Sequence, residues 1–246
     1  MIDILRSEWT KIRSVRSTMW TLAVTGGLML GFSALISASA KSMATGPIPG
    51  AEAIVLALTG TMIAALSMAT LGVLVISSEY RTGGIRTSLM AVPKRLSLLT
   101  GKIVLFGAVS MVVCTVAAAG AIGVGVAIIQ PPSIDLLEVV RFALGAGLYL
   151  TACGLFGLGL GTLIRHTPGA IVSAIALMLV LPTLSTQLPG AWGRTVSEYF
   201  TTNAGLLLVS GQSSGSLGPW SGFAVYLAWV AVAMVSGAVL MQRRDA

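Results

Sequence analysis

The sequence predicts an all-α integral membrane protein: six transmembrane helices, an N-terminal interfacial helix and a short helix on the cytoplasmic side. Two observations carry this. Of 246 residues, 55% are hydrophobic and only 9% charged, about a third of the charge that keeps a soluble domain wet. The charges are also separated by long uncharged runs, giving a mean hydropathy of +0.93. A soluble enzyme, a disordered tail and a nucleic-acid-binding domain are excluded, despite a net charge of +7.

Residues 1–16, MIDILRSEWTKIRSVR, place Ile2, Leu5, Trp9 and Ile12 on one helical face and Asp3, Ser7, Thr10, Lys11 and Ser14 on the other. Arg6 and Arg13 flank the apolar stripe, with stems for lipid and heads for phosphates. The pattern predicts an interfacial helix over 1–16; a plain basic lead segment is the alternative.

The uncharged runs supply the spans. They hold 24 residues between Arg16 and Lys41, 26 between Glu52 and Glu79, and 32 between Lys102 and Asp135. Further runs hold 23 between Arg141 and Arg165, 27 from Thr167 to Gly193, and 44 between Glu198 and Arg243. Crossing a bilayer takes ~20 apolar residues, so each run accommodates a helix. The last could hold two, but Ser210–Ser216 reads SGQSSGS, which leaves one full crossing. The predicted spans are 19–40, 53–77, 103–129, 142–163, 169–188 and 220–241. A barrel would alternate apolar and polar residues, whereas Ala170–Leu181 is apolar on nearly all sides. The first run ends in Ser37-Ala38-Ser39-Ala40, like a signal-peptide cleavage site. Its stretch from Met19 to Ala40, 22 uncharged residues, exceeds the 7–15 of a signal core, and it is expected to stay as a helix.

Sorted by side, twelve of the fifteen basic residues fall with the N-terminus: Arg6, Lys11, Arg13, Arg16, Arg81, Arg86, Lys94, Arg95, Lys102, Arg165, Arg243 and Arg244. Lys41, Arg141 and Arg194 fall on the other side, while the acidic residues divide evenly. The positive-inside rule then puts both termini in the cytoplasm.

The segment Ser77–Lys102, SSEYRTGGIRTSLMAVPKRLSLLTGK, is the most informative. Gly83-Gly84 breaks the second helix, and Pro93 closes the stretch after the break. Between them Ile85, Leu89 and Val92 have the spacing of a short amphipathic helix over 84–92. Glu79 faces the negative end of its helix dipole, which is unfavourable; Arg81, Arg86 or an arginine of the N-terminal helix would offset it. The segment reads as a structured loop that meets a partner, with a solvated basic connector as the alternative.

Glu79, Gly83, Arg86, Leu89, Pro93, Arg95 and Gly101-Lys102 resemble the cytoplasmic loop of the type 2 ABC exporter permeases. Leu5–Trp20 resembles the entry helix of the short actinobacterial members, and Tyr199–Gly205 and Arg243–Ala246 are similar to the corresponding later segments. The resemblance spans the chain, with two departures: Gly84 where Thr is frequent, and Phe200-Thr201 where a Leu-Pro pair is frequent. It implies a permease subunit in a bacterial plasma membrane, paired with a second permease copy and powered by two copies of a separate ATP-binding subunit that holds ATP and Mg. The segment 84–92 would be the coupling helix docked on the ATPase. Glu79, Arg81, Gly83, Gly84, Ile85, Arg86, Leu89, Val92, Pro93 and Arg95 would form that junction. Residues 196–209 would form an outer re-entrant segment, and the first and fifth helices would meet across the dimer.

The residues agree that energy comes from elsewhere. Gly101-Lys102 is followed by Ile103 and lacks the upstream glycine of a phosphate-binding loop. His166, the sole histidine, is expected to be a solvated loop side chain, no serine has a catalytic constellation, and Cys114 and Cys153 read as small buried hydrophobes. No cofactor or metal is expected in this chain, nor a nucleic-acid partner; membrane lipid is its surroundings. The predicted helix cores carry no ionisable residue, which weighs against ion-coupled transport. Hydroxyls such as Thr25, Ser33, Thr59, Thr61, Ser67, Thr70, Ser110 and Thr115 either line a path or bond their own helix carbonyls, the second being favoured. Gly157 and Gly161, and Ala117, Ala121 and Gly125, repeat small residues every four positions and predict close helix contacts. The expected cargo is an apolar or amphipathic compound: a drug, natural product, lipid or peptide. The competing functions are an ATP-independent channel or secondary carrier, and a non-transporting immunity or scaffold protein.

Overall fold

The computed structural model describes residues 9–10, 16–82 and 95–243, with side chains for 9–10, 18–80 and 97–243. The predicted interfacial helix lies almost wholly outside the described residues. The predicted helix over 84–92 lies outside them entirely, together with Gly83, Gly84, Ile85, Arg86, Leu89, Val92 and Pro93, and so do the side chains of Arg81 and Arg95.

Among the described residues the chain is all-helical, with no strand beyond a single bridge between Ser214 and Leu217. Six helical segments are long and apolar enough to cross a membrane: Thr18–Met43, Gly50–Tyr80, Ser97–Ile129, Leu136–Ile164, Thr167–Ser185 and Pro219–Arg243. The helices are α1 (Arg16–Met43), α2 (Gly50–Ala57), α3 (Thr61–Thr82), α4 (Arg95–Ile129), α5 (Leu136–Ile164), α6 (Thr167–Ile175), α7 (Leu181–Ser185), α8 (Gly190–Tyr199), α9 (Thr201–Ser210) and α10 (Pro219–Arg243). A π-helical turn, Ala176–Val180, joins α6 to α7.

The ends follow from local chemistry. Helix α4 stops where Gln130 turns left-handed (φ 56°) ahead of Pro131-Pro132, and Lys41 Nζ donates to the exposed Ile128 carbonyl at 2.6 Å. A cation at a helix C-terminus meets both an orphan carbonyl and the negative end of the dipole. Helix α5 opens on Asp135, whose carboxylate accepts from Leu137 N at 2.9 Å, and closes on Arg165 in the left-handed region (φ 58°). His166 then caps α6 by accepting from Gly169 N through Nδ1 at 3.3 Å, so the exposed histidine of that turn has a structural task.

Three spans depart from the prediction. The segment predicted as one helix over 53–77 is two, α2 and α3, separated by Leu58-Thr59-Gly60. Thr59 and Thr61 cover the carbonyls freed there, donating to Leu56 O at 2.7 Å and Leu58 O at 2.6 Å. A Cβ on Gly60 would come within 3.0 Å of Phe32 and 3.3 Å of the Met29 backbone, so α1 packs directly against the break. Helix α4 begins at Arg95, before the predicted 103, which takes Lys102 into the span. The fifth span is interrupted by the π turn.

Helix α5 is the centre of the bundle, with 17 of its 29 residues buried. Glycines let its neighbours reach its backbone. Gly157 abuts the Ala69 backbone and Gly72 abuts Gly154 O, while a Cβ on Gly161 would meet Ile76 at 2.6 Å and Val73 O at 3.1 Å. On another face a Cβ on Gly159 would meet Ala233 at 3.0 Å. On α4, Gly125 faces Ala57 and Ser37, and Ser33 donates to Ala121 O at 2.6 Å. Both small-residue repeats thus sit at close helix contacts, with neighbouring backbone at Gly157 and with small side chains along α4, the packing that drives helix association without a hydrophobic force.

Filling one of these contacts tests the arrangement. Gly157→Ala is expected to cost about 1–3 kcal/mol, the usual range for overpacking, in unfolding from mixed micelles. Gly27→Ala, which has nothing within 4 Å, is expected to be neutral. Equal stability of the two variants would contradict the backbone contact between α3 and α5.

Candidate functional site

The basic end of the bundle gathers the helix ends that flank the loop. The last turn of α3 presents Glu79 and Tyr80, the second turn of α4 presents Lys102, and α5 ends at Arg165. Lys102 Nζ donates to Glu79 Oε1 at 2.7 Å, with the two side chains 3% and 12% exposed. The Arg165 guanidinium lies over the Tyr80 ring, 5.0 Å from its centroid, a cation–π geometry. Glu79 therefore has the cation its helix end requires, and it is one the sequence treats as a loop residue. The candidate partners Arg81 and Arg86 have side chains outside the described residues. Glu79 and Lys102 both lie within helices, near their ends rather than in their cores, and neutralise one another.

A buried pair of this kind contributes little net stability, because desolvation offsets attraction. Its geometric effect is definite. It joins the last turn of α3 to the second turn of α4.

The opposite end holds a second constellation. Pro182 has no N–H. An α-helical bond from position 182 would reach the Met178 carbonyl, and a π-helical bond would reach Leu177. One donor is missing at this point, and a pair of hydroxyls from another helix reaches both carbonyls. Thr201 Oγ1 donates to Leu177 O at 2.6 Å and Thr202 Oγ1 to Met178 O at 2.7 Å. Asn203 Nδ2 adds bonds to Pro182 O at 3.3 Å and Ser197 O at 3.0 Å.

This ties the fifth span to a pair of short helices. Helices α8 and α9 meet at Phe200, whose backbone is extended (φ −77°, ψ 145°). Its ring packs on Trp229 at 5.6 Å between centroids, and Trp229 Nε1 donates to Tyr199 O at 3.1 Å. Trp229 is ten residues into α10, about 15 Å of rise from its start. The α8–α9 turn therefore lies against the body of α10. A cleft of about 700 Å³ opens between α8, α9 and the 214–215 turn, lined by Arg194, Glu198, Asn203 and Thr186 over Leu188 and Leu207.

The remaining candidates resolve simply. Thr59, Thr61 and Thr70 bond carbonyls of their own segments, as favoured. Ser33 bonds a neighbouring helix, and Thr25 bonds both its own Thr21 carbonyl and Ser67 of α3. Cys114 and Cys153 are buried free thiols, and Tyr226 donates to Cys153 Sγ at 3.2 Å. Among the described residues no three side chains are grouped to hold a metal ion. No protein-family model matches the chain, and no curated protein matches it.

Two substitutions probe these centres. Lys102→Met is expected to cost about 1–3 kcal/mol, the range for losing a hydrogen bond to a charged group, because it removes the ammonium that donates to Glu79 Oε1, and adding Glu79→Leu is expected to recover most of it. A double variant as unstable as the single one would contradict the pairing. At the other end, Thr201→Val with Thr202→Val is expected to cost about 1–3 kcal/mol, the penalty for unpaired buried carbonyls. That cost should shrink in a Pro182→Ala background, where the missing donor returns; an unchanged cost would refute the account of the π turn.

Proposed function

We propose that the chain is the transmembrane permease subunit of an ATP-driven exporter for an apolar or amphipathic compound. In this reading the basic end faces the cytoplasm of a bacterial cell, and two copies of the chain work with two copies of a separate ATP-binding subunit, which carries ATP and Mg. No catalysis is assigned to this chain.

The observation that carries the reading is the Glu79–Lys102 pair at the base of the loop. A force applied to residues 84–92 would reach α3 and α4 together, because the pair joins them at 2.7 Å. It would pass on to α5, since α3 and α5 touch backbone to backbone through Gly72 and Gly157. At the far end the force would meet the π turn and the α8–α9 pair, where the helices are discontinuous and compliance is greatest. That sequence of a stiff input and a jointed output suits alternating access powered from outside the membrane. The first and fifth spans are the least enclosed of the six, which leaves faces for a second copy and supports pairing through them.

A purification from mild detergent tests the proposal. Tagged protein is expected to carry a soluble ATPase in stoichiometric amount. Leu89→Pro is expected to release it by breaking the coupling helix, and Glu79→Ala to uncouple ATP hydrolysis from transport without loss of insertion. A homo-oligomer with no ATPase, under conditions that preserve known complexes, would favour the channel, carrier or scaffold readings.

A further inference from the structure

Two hydrogen bonds fix how deep the α8–α9 turn sits. On one side Trp229 Nε1 donates to Tyr199 O at 3.1 Å, ten residues into the sixth span, which begins at Pro219. On the other, Thr201 Oγ1 donates to Leu177 O at 2.6 Å, eight residues before the fifth span ends at Ser185. At a rise of ~1.5 Å per residue these points lie ~12–15 Å inside the span ends. Helix α8 has ten residues, enough to reach that depth from the end of the fifth span.

Charge goes down with it. Arg194 and Glu198 line the cleft behind the helix, together with Ser197 and Asn203. Glu198, one residue before Tyr199, accepts from Ser216 N through Oε1 at 2.7 Å, and among the described residues neither Arg194 nor Glu198 forms an ion pair. Ionised side chains within the thickness of a bilayer pair with one another or face water, and these two do not pair. The cleft, at about 700 Å³, has both the room and the polar partners that water requires. Its wall on α9 includes Leu206, which also borders a narrow gap beside Met178 and Thr202. The cleft thus ends next to the hydroxyls that clasp the π turn.

We propose that this cleft is an aqueous vestibule. Water and small polar solutes enter it from the end of the bundle opposite Lys102 and reach into the depth of the membrane as far as Leu206. The water solvates Arg194 and Glu198, and it thins the hydrocarbon barrier at the jointed segment of the fifth span. The inference needs only that the fifth and sixth spans cross a bilayer, and it holds whether or not the chain serves an exporter.

Methanethiosulfonate reagents bearing a fixed charge test it on the full chain in lipid nanodiscs, which expose both ends of the bundle. Such reagents modify thiolates, and a thiol ionises in water far more readily than in apolar surroundings. The native thiols Cys114 and Cys153 are fully buried and set the background. Ser197→Cys and Leu206→Cys, one on each wall, are expected to react on the order of tenfold faster, or more, than Val232→Cys, a position 62% exposed on the body of α10. Rates at both positions no higher than at 232 would mean a dry cleft and overturn the proposal. Reaction at only one of the two would overturn it as well, because both walls border a single volume. Where either variant does not insert, Thr195→Cys and Leu207→Cys occupy the same two walls.

Discussion

A hydrocarbon interior offers no water to a backbone carbonyl, so each interruption of a spanning helix must supply its own donors. Much of this chain's architecture follows from that requirement. Where α2 gives way to α3, Thr59 and Thr61 cover carbonyls three residues back. Where Pro182 removes a donor, Thr201 and Thr202 arrive from another helix to replace it. The first repair is local and leaves the two half-helices independent. The second is made across the fold, and it makes the fifth span and the α8–α9 pair one unit.

The bundle is therefore built unevenly. Helices α3 and α5 meet through glycines with no side chain between their backbones, and well-packed contacts of this kind behave as rigid bodies. On the other flank of α5, Tyr226 fills the space between Tyr149 and Phe156, with ring centroids 5.7 and 6.1 Å away, and bonds Cys153. The thiol serves as an acceptor in a packed aromatic cluster, which explains its burial without invoking reactivity. Discontinuity is concentrated elsewhere, in the fifth span and the segment after it. Rigid-body motion of the α3–α5 core would reach that jointed region through α9, whose buried face includes Gly205, packed against Tyr149 and Tyr226.

The sequence makes the six crossings legible because uncharged runs are long and few loops interrupt them. The Gly157/Gly161 spacing likewise announces the contact it makes. Boundaries are read less well where a charge stays inside: counting runs between charges treats Lys102 as the edge of the bilayer, yet a lysine with a carboxylate at 2.7 Å can stay within a helix end. The break at Leu58-Thr59-Gly60 carries no charge and no proline, and the residues packed against it, Met29 and Phe32, are far away in the chain. The clasp on the π turn is half legible. Pro182 in an apolar run signals orphaned carbonyls, and Thr201-Thr202-Asn203 signals donors, but nothing in either string says that they meet across 24 residues.

That a buried ion pair stands at the base of the loop calls for a reason, since apolar residues of similar size would serve stability as well or better. Specificity of register is the best physical candidate. A shift of α4 by one residue along α3 would displace Lys102 from Glu79 by about 1.5 Å along the axis and by roughly a third of a turn around it, drawing two charges of 3% and 12% exposure out of their 2.7 Å contact. Leucines at the same positions would tolerate that slip. The pair therefore holds the last turn of α3 and the second turn of α4 in one relative position.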